Sequence, residues 1–123
     1  MRCPLLTALL MLTAPAASPA QDVRIVEVEL SSFDFDPDMI RLRAGEPVVL
    51  RLVNRGGGGH NFVAPDFFAA ARGVSGPVDE GAVELRAREI VEVRLVPTRG
   101  RYRLRCTHTL HSTLGMRGRI VVE

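Results

Sequence analysis

Residues 90–106 read IVEVRLVPTRGRYRLRC, two short runs on either side of a Pro97-Thr98-Arg99-Gly100 turn. In the first run Val91, Val93 and Leu95 alternate with Glu92 and Arg94. In the second, Tyr102, Leu104 and Cys106 alternate with Arg101, Arg103 and Arg105. Successive side chains of a strand point to opposite faces, so each run presents one apolar and one charged face. A helix would repeat its apolar face every three or four residues, whereas here apolar and charged residues alternate every second one.

The same alternation extends outward. Val26, Val28 and Leu30 oppose Glu27 and Glu29, and Phe33 and Phe35 flank Asp34, which predicts that both rings share a face. Ile40 and Leu42 alternate with Arg41 and Arg43 ahead of an Ala44-Gly45-Glu46-Pro47 turn. Residues 48–53 form a largely apolar strand, and residues 119–123 close the chain as another. Short strands with Gly and Pro punctuation predict an all-β sandwich of about seven or eight strands. Two stretches depart from the pattern. Residues 56–59 are four glycines leading into His60, while residues 65–72, with Asp66 and Ala69-Ala70-Ala71, predict one or two helical turns.

The chain has 123 residues, 46% hydrophobic and 24% charged, which suits a single globular domain and not a disordered segment. Its first twenty residues read as a secretory leader: Met1-Arg2, an apolar run from Leu5 to Leu12, then Ser18-Pro19-Ala20 before Gln21. The apolar run is too short to span a bilayer, so no membrane span is expected after cleavage. Removing 20 of the 123 residues leaves 103, residues 21–123, enough for a self-standing domain. Cleavage also removes Cys3 and leaves Cys106 as the one cysteine. A lone thiol in an oxidising, periplasmic or otherwise exported setting points to a metal.

All 16 basic residues are arginine and the formal net charge is only +2. With 14 acidic residues and six Phe and Tyr, there is neither the charge excess nor the aromatic platform that nucleic acid requires. No exposed apolar segment forces oligomers, so a monomer is expected.

Cys106, His108, His111 and Met116 lie in one loop, and His60 is the remaining histidine. Singly, each has an ordinary reading: a loop histidine, a buried thiol, a core methionine. Together, thiolate, imidazole and thioether are soft or borderline donors that suit copper, and two histidines, one cysteine and a weak axial methionine form the blue-copper set. A zinc hydrolase would need an open water position and a nearby base, and no acid lies between Cys106 and Met116. With only Thr107 between them, Cys106 and His108 would bind one ion through a very tight chelate.

On His60-Asn61-Phe62, the Cys106-x4-His111-x4-Met116 loop, and Phe33-Asp34-Phe35 with Pro37, the sequence resembles the cupredoxins, its loop spacing most like rusticyanin and auracyanin. The resemblance implies a Greek-key β-sandwich and one type 1 copper ion on His60, Cys106, His111 and Met116. It further implies that the Asn61 backbone N–H bonds the cysteine sulfur and that the Asn61 side chain ties to Thr107. His108 is then left beside the site. The expected function is one-electron transfer between redox partner proteins without catalysis. The alternative is a periplasmic copper carrier or copper-resistance protein using the same ligands; such proteins carry extra exposed Met or His, whereas only Met39 and Met116 remain here. Docking is expected over Leu110, His111 and Leu114, with Arg55, Arg99 and Arg117 steering acidic partners.

Overall fold

Alternating burial along the chain organises the molecule into two packed sheets. The structure, a computed structural model, describes residues 11–16, 23–108 and 116–123. These contain ten strands and one short helix: β1 (Arg24–Ser31), β2 (Asp34–Asp36), β3 (Met39–Leu42), β4 (Val48–Asn54), β5 (His60–Val63), α1 (Pro65–Ala70), β6 (Arg72–Ser75), β7 (Ala82–Leu85), β8 (Ile90–Val96), β9 (Gly100–Arg105) and β10 (Arg117–Val122). One sheet has the order β2-β1-β4-β8-β6, the other β3-β10-β9-β5-β7. The turn between β8 and β9 therefore passes the chain from one sheet to the other. Both sheets are mixed, with β1 parallel to β4 and β3 parallel to β10.

The inward faces are those read from the sequence. Val28, Leu30, Val91, Val93, Leu95, Leu104 and Cys106 are all buried in one core. Burying a residue of this kind contributes about 1.5–3 kcal/mol, and the core runs the length of the sandwich. β4 is buried along nearly its whole length, because its sheet flanks it on both sides with β1 and β8.

Three expectations are adjusted. The strand count exceeds seven or eight because β6 and β7 are added: β6 is exposed throughout and lacks any alternation, and β7 is only four residues long. Phe33 does not share a face with Phe35. It sits in the β1–β2 turn at φ 62° and is 41% exposed, whereas Phe35 is 1% exposed. The helix ends at Ala70, two residues short of the expected limit, because Arg72 already pairs with Val96 of β8.

Candidate metal centre

β5 begins at His60, which is 4% exposed. The four-glycine loop before it is folded by one side chain. Asn54, ending β4 and 1% exposed, accepts a hydrogen bond on Oδ1 from the Gly56 N–H (2.9 Å) and donates from Nδ2 to the carbonyls of Gly58 and Arg86 (both 2.9 Å). A Cβ on Gly56 would stand 3.0 Å from His60 Nε2, and one on Gly59 would stand 3.1 Å from His108 Cε1. Glycine lets the loop backbone lie directly against both rings. His60, His108, Ser32, Phe33 and the loop line one shallow recess of about 400 Å³.

Cys106 and Met116 follow β9 and precede β10, antiparallel neighbours, and the Cys106 N–H donates to the Met116 carbonyl at 3.2 Å. Both residues are 0% exposed. The pairing of the two strands thus delivers a thiol and a thioether to the same end of the core. His111, Leu110 and Leu114 lie outside the described residues.

Asn61 joins the two parts. Its backbone N–H donates to Cys106 Sγ at 3.5 Å. Its Nδ2 donates to Thr107 Oγ1 at 2.7 Å, and its Oδ1 accepts from the Thr107 N–H at 2.7 Å. Nδ2 also donates to Glu84 Oε1 at 2.8 Å; Glu84 stands opposite Asn61 on β7. The other carboxylate oxygen of Glu84 lies 2.9 Å from His108 Nε2. Burial raises the Glu84 pKa, but hydrogen bonds from His108 and Asn61 and the His108 charge outweigh it and hold the carboxyl below its ordinary value.

His60, Asn61, Cys106, Thr107 and Met116 therefore come together at one end of the sandwich. Among the described residues no three His, Cys, Asp or Glu side chains form a metal-binding group; the expected set takes its third such residue from His111 and its fourth donor from Met116. Sequence reasoning missed Asn54 and Glu84. A polar residue closing an apolar strand just before a glycine run was the available sign for Asn54, and nothing local marked Glu84.

The family model for the cupredoxin-like domain matches residues 3–122. The chain belongs to that family. Among solved structures, this cupredoxin is similar to auracyanin B, at 28% identity over 87% of this chain and 91% of that one, TM-score 0.61. It is similar in fold to auracyanin A, described as a "blue" copper protein from the green thermophilic photosynthetic bacterium Chloroflexus aurantiacus, at 23% identity over 80% of this chain and 99% of that one, TM-score 0.56. It also shares a fold with a multicopper oxidase from the hyperthermophile Aquifex aeolicus, at 15% identity and TM-score 0.66, covering 91% of this chain but 32% of that one. Among curated proteins none matches it.

Proposed function

We propose that the protein is an exported one-electron carrier holding a single type 1 copper ion through His60, Cys106, His111 and Met116. The observation that carries this reading is the Asn61 N–H directed at a fully buried Cys106 sulfur, with the Asn61 side chain fastened on both sides to Thr107. The donor chemistry fits copper, two imidazoles and a thiolate with a thioether. When bound, copper supplies a reversible Cu(I)/Cu(II) couple.

The chain's own residues do the rest. Asn61 draws charge off the sulfur and so tunes the potential, as hydrogen bonds around a metal ligand do. The Asn61–Thr107 clasp fixes the cysteine's direction, and the β9–β10 ladder holds Cys106 beside Met116. With His60 Nε2 against the glycine loop, Nδ1 would be the nitrogen that holds the ion. A scaffold that changes little between the two oxidation states favours fast exchange, and four protein donors leave no position for a substrate.

Auracyanin A's description as a blue copper protein supports this assignment, together with the 28% identity to auracyanin B. The multicopper oxidase match supports the fold but not an oxidase activity, since this chain spans about a third of that protein. Against a role in handing copper on, Cys106 and Met116 are both 0% exposed, which favours an ion that stays bound over one that is passed on. Export through residues 1–20 belongs to the same proposal. Among the described residues no helix is long and apolar enough to cross a membrane.

The test is visible absorption and electron spin resonance of the Cu(II)-loaded protein. An intense thiolate-to-copper charge-transfer band is expected, lost in Cys106→Ser. A serine variant that keeps the band would overturn the assignment.

A further inference from the structure

Both sheets hold paired and unpaired arginines. Arg41 of the second pairs with Glu123, while among the described residues Arg24, Arg72 and Arg94 of the first have no ion pair. What distinguishes the second is a cross-strand row. On the outer face of the first, Arg51 stands in register with Glu27 and Glu92 and is ion-paired to them at 3.5 and 3.1 Å. Arg55, expected to steer partners, is paired to Glu29 at 3.3 Å. On the outer face of the second sheet, β9 and β10 set Arg103 directly opposite Arg119 and Arg105 directly opposite Arg117, and Arg101 extends the row. All five are exposed. Among the described residues, none of the five has a side-chain ion pair or hydrogen bond.

Like charges directly opposite on neighbouring strands destabilise a sheet. The chain has 14 acidic residues and pairs several of them with arginine on the other sheet. On this face, a shallow groove of about 710 Å³ lined by Arg103, Arg105, Arg117 and Arg119 has Asp66 as its single acid. An uncompensated cost of this kind is explained when an anionic surface outside the chain neutralises it. The row also has a meaningful position: Arg105 immediately precedes Cys106, and Arg117 immediately follows Met116.

We propose that the outer face of β9 and β10 docks a protein that presents a row of carboxylates. Guanidinium groups match carboxylates through planar paired hydrogen bonds. Alternate residues on a strand repeat about every 7 Å, so Arg101, Arg103 and Arg105 call for acidic groups at about that spacing. A lipid surface fits less well, because binding there relies on bulky apolar side chains that insert, and Met39 is the exposed large apolar residue in register beside Arg119. Nucleic acid fits less well because no ring is offered for stacking: Tyr102, the aromatic of β9, packs inward on Phe67. That the docked protein exchanges electrons rests on the copper reading; that it is acidic rests on the arginines alone.

The test uses copper-free, isotopically labelled protein of the full mature chain at low salt, with poly-L-glutamate as probe and amide shifts as readout. Shifts are expected to cluster at residues 101–105 and 117–119. Binding should weaken by about tenfold in the Arg103→Gln/Arg119→Gln double variant and hold in Arg94→Gln from the other sheet. The double variant should also melt no lower than the parent, since it removes a like-charge pair. Shifts spread evenly over the other arginines, equal weakening by Arg94→Gln, or binding to phosphatidylglycerol vesicles in preference to poly-L-glutamate would each overturn the proposal. Because no copper is present, failure of the copper reading appears separately, in the absorption of the loaded protein.

Discussion

At the scale of single residues, the site depends on which side chain gives which atom. Met116 is fully buried beside Cys106, so Met116→Leu fills nearly the same volume while removing the thioether. Copper should be retained, and the reduction potential should rise, because losing a donor disfavours Cu(II). Voltammetry on the two proteins checks this; an unchanged potential counts against an axial role. The loop histidines separate in the same way. His108 is engaged by Glu84, so His108→Ala is expected to keep a near-native copper spectrum, whereas His111→Ala should lose it or regain it with added imidazole. Glu84 itself has a folded pKa below its ordinary value, so its contribution to stability is present at neutral pH and is lost as pH falls through that lowered pKa. Glu84→Gln should therefore melt below the parent at pH 7, with the gap closing in acid. A gap that is constant with pH would remove the carboxylate from the Asn61–His108 bridge. The soft donors were legible in sequence because their types and spacing are rare together. Asn54 showed only as a polar residue before a glycine run, and its Arg86 carbonyl comes from just past the end of β7. Glu84 gave no local sign, because only the β5–β7 register brings it to Asn61, 23 residues away.

At the scale of elements, strands with strict alternation and the apolar run of β4 were readable, whereas β6 and β7 were not. β1, β8 and β9 each carry an apolar face that the core requires, so sequence and structure agree on them. β6 has no buried residue and exists because Arg72 and Ser75 pair with β8 at the sheet edge, a tertiary fact without a local signal. Phe33 followed the alternation in sequence but fell in a turn, where backbone conformation overrides the period. The β6–β7 connection is equally constrained: Gly81 has φ 76°, and a Cβ there would stand 2.4 Å from Pro65 Cα at the start of α1. Gly81→Ala would combine left-handed strain of about 1–3 kcal/mol with a backbone clash. It should lower the unfolding free energy measured by denaturant titration by at least that amount and disturb β7, which carries Glu84. Unchanged stability would show that α1 is free to move away from the turn.

At the scale of the whole molecule, an aromatic chain links the sheets to the site. Phe35 of β2 meets Phe62 of β5 at a ring separation of 6.0 Å, Phe62 meets Phe68 at 6.0 Å, Phe68 meets Phe67 at 5.3 Å, and Phe67 meets Tyr102 at 5.5 Å, all edge-on. Phe62 is the ring nearest the site in sequence, fully buried and next to Asn61, so the strand that presents His60 and Asn61 is anchored by this ring. Phe62→Ala should cost about 3–5 kcal/mol, a large share of the roughly 5–15 kcal/mol that holds a domain of this size folded. A ligand that binds only the folded state offsets such a loss by mass action, about 4 kcal/mol when its concentration is a thousand times its dissociation constant. If copper sits where His60, Cys106 and Met116 converge, adding it should raise the melting temperature of the parent, and of Phe62→Ala wherever that variant still folds. The same addition should leave a Cys106→Ser/His60→Ala variant nearly unmoved. Thermal melts of the three proteins with and without Cu(II) decide it, and a rise in the ligand-free variant equal to that of the parent would place the copper elsewhere on the chain.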